Sequence, residues 1–261
     1  MSNSQKIPAP LTALPPIVSL AEWQKKQQEL LAKEKAHTHA SDALAAERRR
    51  QPMVQVTSRY VFTGEAGEVG LPELFAGRRQ LIVYHHMLKP ADESPCPGCC
   101  LMADMVGHLA HLNARDSTFV MVAAAPVDEF IQLKKRMDWD LPVYSTTDSF
   151  NPDMLGTESH GLTIFLQDSG TIYRTYFSTG RGLESLGSVW TYLDLTPLGR
   201  QETWEDSPTG WPQTEPYTWW KLHDAYQQQE SEQQESEKKE SEQTESDKKK
   251  SDKTESTNCC G

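Results

Sequence analysis

The sequence predicts an α/β fold built on a central mixed sheet. Two largely apolar runs, Gln80–His85 and Thr118–Ala125, alternate with segments of helical period, an order that is typical of α/β proteins. Runs of this kind are typical of strands buried on both faces. Two later strands, 162–167 and 171–177, flank Asp168-Ser169-Gly170, which suits a hairpin turn. The hairpin adds antiparallel strands to a parallel pair, so the sheet is mixed.

Helices are predicted between these strands from the spacing of their apolar residues. Leu101, Met105, Leu109 and Leu112 recur every three or four positions and predict one helix over 99–113. The same period predicts helices over 127–137 and 182–190. A right-handed crossover then places the first two core strands side by side and parallel.

A long N-terminal helix precedes the core. Ser19 and Glu22 form a capping box, and good helix formers follow until Pro52. A break near His37–His39 is one alternative, since Ser41 is able to restart the helix. The apolar stripe of the helix is sparse, which predicts that it lies across the domain surface.

Composition changes along the chain predict five regions. They are a flexible N-terminus (1–18), a helical arm (19–53), the core domain (54–195), a strap rich in Pro and Trp (196–226) and a disordered tail rich in Glu, Ser and Lys (227–261). The tail contains no aromatic or aliphatic residue, so nothing in it offsets the entropy cost of ordering.

Charge and hydropathy limit the possible partners. The formal net charge is -11 and the mean hydropathy is -0.64. An acidic chain without a basic face argues against nucleic-acid binding, which needs cations to displace counterions. No apolar run is long enough for a membrane segment, and the N-terminus lacks the basic and apolar regions of a secretory signal. We therefore expect a cytoplasmic protein.

Five cysteines form two groups, Cys96, Cys99 and Cys100 in the core and Cys259 and Cys260 in the tail. A secreted domain held by disulfides would spread its cysteines over the fold. In a reducing compartment, a cluster of this kind indicates redox chemistry or metal binding.

The motif Cys96-Pro97-Gly98-Cys99 lies between a buried strand and a helix. Unpaired N–H groups and the dipole at a helix start stabilise a thiolate, and Pro97 suits the first helical turn. The pattern predicts Cys96 as the nucleophile with a lowered pKa, and Cys99, one turn later, as the resolving thiol.

Other interpretations of these residues remain open. In the first interpretation, Cys96 and Cys99 are an unreactive structural pair. In the second, Cys96, Cys99 and Cys100 bind zinc or copper together with His85 or His86. No second motif completes a tetrahedral ligand set, so the prediction includes no metal and no cofactor. His85 and His86 are candidate proton shuttles or, as the alternative, hydrogen-bonded core histidines, and Cys100 is predicted to be a small buried residue.

Several long segments together resemble one family. They are 77–85 (GRRQLIVYH), the Cys-Pro-Gly-Cys motif, 109–116, 161–166 (GLTIFL), 181–183 (RGL), 192–200 (YLDLTPLGR) and 223–226. The family is thioredoxin-like, contains bacterial proteins of unknown function and has relatives in fungi. The resemblance runs from about Ser19 to Tyr226 and implies a thioredoxin-like fold.

The chain departs from thioredoxin itself in the motif and around it. The order is Pro-Gly, no Trp precedes Cys96, the preceding loop is longer, and Ser159-His160-Gly161 replaces the proline that normally faces the dithiol. We therefore expect a dithiol–disulfide oxidoreductase for a dedicated small-molecule or protein disulfide, cycled by a cellular thiol reductant of the thioredoxin or glutathione type. Alternatives are a thiol peroxidase and a non-catalytic module that holds a metal or metabolite, including a role in fungal secondary metabolism.

Overall fold

The computed structural model describes residues 14–226. The predicted disordered tail, with Cys259 and Cys260, and most of the predicted flexible N-terminus lie outside this range. The chain divides into two units, Met1–Trp219 and Trp220–Gly261. In the described part of the second unit, the Lys221 amide donates a hydrogen bond to the Tyr226 hydroxyl.

The predicted N-terminal helix forms as α1 (Leu20–Arg48), without a break at His37–His39. Its first turn holds the capping box. The Glu22 amide donates to the Ser19 hydroxyl at 3.3 Å, and the Ser19 amide donates to the Glu22 carboxylate at 3.0 Å. No residue of α1 is buried, which agrees with its sparse apolar stripe.

Within residues 14–226, eight strands form one mixed sheet. In chain order they are β1 (Val54–Gln55), β2 (Val61–Gly64), β3 (Gly67–Gly70), β4 (Gln80–His85), β5 (Ser117–Ala123), β6 (Val143–Ser145), β7 (Gly161–Asp168) and β8 (Thr171–Ser178). Their order across the sheet is β1-β8-β7-β4-β5-β6-β2-β3. The hairpin turn between β7 and β8 has positive φ at Ser169 and Gly170, the conformation that two-residue hairpin loops favour.

The four central strands have the thioredoxin-like arrangement. β4 is parallel to β5, as the crossover rule predicts, and antiparallel to β7, which in turn is antiparallel to β8. β4 pairs on both sides over its whole length, which explains why its sequence is apolar with little alternation. The predicted α/β class with a mixed sheet is confirmed.

Helices cover both faces of the sheet. After α1 they are α2 (Leu71–Leu74), α3 (Pro97–Asp104), α4 (Ala110–Asn113), α5 (Val127–Arg136), α6 (Phe150–Leu155) and α7 (Ser188–Asp194), with a 3₁₀ helix at Gly180–Leu186. Ile82, Tyr84 and His86 point to one side, called here the dithiol face, where α3 and α5 lie. Leu81, Val83 and His85 point to the opposite face, where they join α2 and α6 in an aromatic core.

The predicted helix over 99–113 is divided in two. α3 ends at Asp104 and α4 begins at Ala110. Gly107 is a weak helix former, and the His108 ring accepts a hydrogen bond from the Ala110 amide at 3.1 Å, which competes with helical bonding. The Met105 sulfur accepts a bond from the Val189 amide of α7 at 3.4 Å. Local and tertiary contacts therefore replace the helix at this point.

The predicted strap is organised around one buried carboxylate. Glu202 is 2% exposed and accepts hydrogen bonds from the Trp219 indole at 2.7 Å, the Tyr217 amide at 2.9 Å and the Trp204 indole. Burial alone raises the pKa of this carboxyl, but these donors outweigh it and the pKa is lowered. No helix among residues 14–226 has the length and hydropathy to cross a membrane.

Candidate active site

The dithiol lies at the start of α3, directly after the loop that follows β4. Cys96 is the N-cap residue and Pro97 occupies the first turn, where its missing N–H removes no helical bond. The Cys96 carbonyl accepts the first helical hydrogen bond, from the Cys100 amide at 3.0 Å. Cys96 is half-buried, whereas Cys99 is 1% exposed, and both are free thiols. Solvent therefore reaches only the first sulfur of the pair.

The environment of Cys96 favours its thiolate. A hydrogen bond from the Cys99 thiol lowers the pKa of Cys96 to about 6, and the Cys99 and Gly98 amides at the helix start act in the same direction. Partial burial and the negative charge of Asp92 oppose this effect. The donors prevail, so Cys96 ionises below neutral pH.

Cys99 has the opposite character. Its hydrogen bond to Cys96, together with burial and the charge of the Cys96 thiolate, raises the pKa of Cys99. Two other groups act against this rise, the hydroxyl of Tyr84 and the backbone N–H of Met87. The pair is thus polarised, with one reactive thiolate and one protonated thiol held as its donor.

Tyr84 is a buried neighbour of the dithiol that lies in the centre of the sheet, on β4. It is 2% exposed, and its hydroxyl has no partner in hydrogen-bond geometry among residues 14–226. Burial, followed by the charge of Cys99, raises the pKa of Tyr84 well above its usual value. Tyr84 therefore stays protonated and presents a donor to the buried sulfur.

His86 contacts the third cysteine of the cluster. Its Nε2 lies 3.9 Å from the sulfur of the buried Cys100, and its Nδ1 accepts a hydrogen bond from the Leu88 amide at 3.1 Å. The proton of the neutral ring is consequently assigned to Nε2. Burial among Phe130, Trp139 and neighbouring side chains lowers the pKa of His86 to about 4.

His85 lies on the opposite face of the sheet. Its Nδ1 is 2.8 Å from the Asn151 amide oxygen and its Nε2 is 2.9 Å from the Thr163 hydroxyl, while its ring stacks on Phe150. Burial lowers the pKa of His85 to about 4, although the Asn151 contact acts against it. The structure therefore brings Cys96, Cys99, Cys100 and His86 to one face of the sheet and separates His85 from them.

The metal-binding alternative requires several ligand side chains around one point. Within residues 14–226, no group of three or more His, Cys, Asp or Glu side chains is arranged to hold a metal ion. His86 contacts Cys100, while Cys96 and Cys99 contact each other.

Gly161 is the first residue of β7. It belongs to Ser159-His160-Gly161, the segment that replaces the proline facing the dithiol in thioredoxin. Gly161 pairs with His85 across the sheet, and a Cβ atom there would lie 2.6 Å from the Phe177 ring. The preceding His160 is half-buried, and its carbonyl accepts a bond from the Thr179 hydroxyl at 2.7 Å. A glycine is thus required here by close packing of β7 against β8.

Tyr84 and Met87 are the two site residues that the sequence analysis missed. Tyr84 lies inside an apolar strand, so the sequence pattern predicts a core residue at this position. Its place two residues before His86 is a signal, because alternate residues of a strand share a face. Met87 acts through its backbone N–H, which side-chain identity does not reveal.

The family described as "Bacterial protein of unknown function (DUF899)" matches residues 12–226. The comparison with curated proteins found no match.

Several solved structures are similar to parts of the chain. Peroxidoxin BcpB from Mycobacterium tuberculosis is 17% identical, covers 52% of this chain and 92% of its own, and has a TM-score of 0.36. A thioredoxin-like protein from Aeropyrum pernix is 15% identical over 59% of this chain and 97% of its own, with a TM-score of 0.33. The yeast mitochondrial 1-Cys peroxiredoxin is 17% identical over 56% and 77%, with a TM-score of 0.35.

Proposed function

The chain belongs to the DUF899 family of unknown function, and from the geometry of its dithiol we propose that it is a dithiol–disulfide oxidoreductase. Its substrate is a dedicated small-molecule or protein disulfide. The observation that carries the proposal is the polarisation of the pair, in which the half-exposed Cys96 has a lowered pKa and the buried Cys99 a raised one. A structural pair of thiols has no need of this difference, whereas sequential nucleophilic attack depends on it.

In the first step, the Cys96 thiolate attacks one sulfur of the substrate disulfide. A bond forms between Cys96 and that sulfur, the substrate S–S bond breaks, and the other substrate sulfur leaves as a thiolate that takes a proton from water. Cys96 is then part of a mixed disulfide and carries no charge. The hydrogen bond and charge that held the proton on Cys99 are consequently weakened.

In the second step, the Cys99 thiol attacks the Cys96 sulfur, and its proton passes to the substrate sulfur that leaves. The Tyr84 hydroxyl and the Met87 N–H, which act to lower the pKa of Cys99, stabilise the negative charge that develops on its sulfur. The mixed disulfide breaks and releases the second substrate thiol. The substrate has gained two electrons and two protons, and the protein holds a Cys96–Cys99 disulfide. A cellular thiol of the thioredoxin or glutathione type then reduces that disulfide.

His85 and His86 differ in their position relative to the dithiol. His86 lies on the dithiol face and is the nearer candidate for moving a proton, whereas both ring nitrogens of His85 contact core residues. Their roles as proton shuttles stay predictions. We propose that the reaction takes place in the cytoplasm, because cysteines clustered in one motif suit a reducing compartment.

A redox titration tests the proposal. The full chain is equilibrated with dithiothreitol and its oxidised form over a range of ratios, and disulfides are located by alkylation and peptide mass mapping. We expect one reversible two-electron couple joining Cys96 to Cys99, absent in Cys96→Ser and Cys99→Ser and retained in Cys100→Ser. Failure to form this disulfide in the wild-type protein would overturn the proposal.

A thiol peroxidase is the second candidate, because a half-exposed thiolate also attacks peroxides. Cys96 would become a sulfenic acid as the peroxide O–O bond breaks, and Cys99 would condense with it and release water. Peroxide consumption faster than disulfide reduction, lost in Cys96→Ser, would favour this reaction. Equal peroxide consumption by the wild type and Cys96→Ser would exclude it.

A further inference from the structure

An apolar cavity lies on the dithiol face of the sheet, between α3 and the 3₁₀ helix that follows β8. Its volume is about 440 Å³, within the range of small-molecule sites. The floor is formed by Ile82 and Tyr84 of β4 with Leu162 and Ile164 of β7, and Met102 of α3 contributes to the wall. The cavity is thus enclosed by the strand and the helix that position the dithiol.

Two lining residues of the cavity lie next to the dithiol. Met102 lies one helical turn after Cys99, and Tyr84 is the buried strand residue whose hydroxyl acts on the pKa of Cys99. A molecule in the cavity would therefore contact a side chain that neighbours the buried thiol. An apolar pocket of this size beside residues with shifted pKa values is a candidate binding site for a small molecule.

Arg48 supplies one positive charge at the cavity. It is exposed in the last turn of α1, lines the cavity, and lies over the Tyr176 ring with 5.4 Å between the guanidinium carbon and the ring centroid. It forms no ion pair with a carboxylate of residues 14–226. Ser178 and Ser185 also belong to the lining. An apolar interior with one cation at its rim complements an apolar molecule that carries a single anionic group.

We propose that this cavity binds a small amphipathic monoanion, with its hydrocarbon part between α3 and the sheet and its anionic group at Arg48. The apolar walls contribute most of the affinity by removing the hydrocarbon from water. The exposed Arg48 guanidinium favours ligands with a negative charge. It contributes a smaller part of the binding free energy, as is usual for a solvated ion pair. Binding does not require the redox activity of the dithiol.

The test is a calorimetric titration of decanoate into the full chain, below its critical micelle concentration, in the Cys96→Ser, Cys99→Ser background. This background separates binding from the proposed oxidoreductase activity. We expect one saturable site for decanoate and weaker binding of decyltrimethylammonium. Arg48→Gln should weaken decanoate about 2- to 5-fold, whereas Arg49→Gln, the same charge change one residue away, should leave binding unchanged.

Two further variants locate the site. Ile164→Trp fills the cavity and should weaken decanoate by at least about tenfold, with folding checked by circular dichroism. Arg48→Glu changes only an exposed side chain and should reverse the preference in favour of decyltrimethylammonium. No saturable decanoate binding, equal binding by folded Ile164→Trp, or an unchanged charge preference in Arg48→Glu would each overturn the proposal.

Discussion

The thiol of Cys99 donates a hydrogen bond to the sulfur of Cys96, three residues earlier on the same helix. One bond thus has two effects, because it stabilises the Cys96 thiolate and retains the proton on Cys99. The reactivity of the first sulfur depends on the protonation of the second. Once Cys96 enters a disulfide, that dependence ends and Cys99 becomes easier to ionise.

Removing this donor should raise the pKa of Cys96. In the wild type, alkylation by iodoacetamide should increase with pH around a midpoint near the pKa of about 6, because only the thiolate reacts. In Cys99→Ala the midpoint should move upward by about one pH unit, since a hydrogen bond to a charged group is lost. Cys100→Ala is the matched control and should keep the wild-type midpoint. An unchanged midpoint in Cys99→Ala would show that the helix start alone sets the reactivity.

Tyr84→Phe should slow the second chemical step and leave the first unchanged. The hydroxyl acts to lower the pKa of Cys99 and is not among the groups that set the pKa of Cys96, so its loss should affect the Cys99 thiolate. With 5,5′-dithiobis(2-nitrobenzoate) in stopped flow, the first thionitrobenzoate should appear at the wild-type rate. The second should appear about tenfold more slowly, the effect of losing one charge-assisted hydrogen bond. Tyr144→Phe, a half-buried tyrosine of β6, should change neither phase, and equal slowing of both phases by Tyr84→Phe would contradict the assignment.

Much of the fold follows from local sequence patterns. The bounds of β4 coincide with the predicted strand, and the capping box at Ser19 fixes the start of α1. The division of the predicted helix over 99–113 does not follow from the apolar period, because it depends on contacts such as that between Met105 and Val189. α6 has no predicted counterpart, since its buried residues pack on a core formed by distant strands.

The site was predictable in part for a similar reason. The strand–loop–helix order predicts that Cys96 and Cys99 lie at a helix start, as they do, because the motif is local. The pairing of His86 with Cys100 and the separation of His85 depend on which face of β4 meets α3. Alternation along the strand predicts that adjacent histidines diverge but not which of them faces the dithiol. That choice is set by the packing of helices on the completed sheet.

Buried histidines should make the fold less stable in acid. The pKa values of His85 and His86 are lowered to about 4, mainly by burial, from 6.5. Between these pH values the unfolded chain binds protons that the folded chain does not, so the free energy of unfolding falls as pH decreases. The loss should reach up to roughly 3 kcal/mol for each histidine.

Urea unfolding at pH 7, 6, 5 and 4.5 measures this dependence. His85→Gln should reduce the slope of the unfolding free energy against pH by up to one proton, because one of the two groups is gone. His111→Gln, at an exposed histidine, is the matched control and should keep the wild-type slope. If His85→Gln leaves the slope of the unfolding free energy against pH unchanged, groups other than His85 cause the acid sensitivity.

Glu202→Gln should destabilise the strap. The carboxylate accepts three N–H groups, whereas an amide has one acceptor oxygen and turns an NH₂ group toward the remaining donors. A buried donor left without an acceptor costs about 1–3 kcal/mol. Tryptophan fluorescence should report the change through Trp204 and Trp219, which bond directly to Glu202. The exposed Glu215→Gln should have no such effect, and equal spectra for both variants would show that the carboxylate is dispensable.

Two glycines should respond differently to the same substitution. In Gly161→Ala the new methyl group would lie 2.6 Å from the Phe177 ring and 3.0 Å from the Ser178 carbonyl oxygen. Because that oxygen belongs to the backbone of β8, the strands must shift, at a cost of about 1–3 kcal/mol in unfolding free energy. In Gly107→Ala nothing lies within 4 Å of the added atom, so stability should stay the same or rise slightly. Urea unfolding of both variants measures the difference, and equal stabilities would mean that β7 and β8 adjust without cost beside the dithiol.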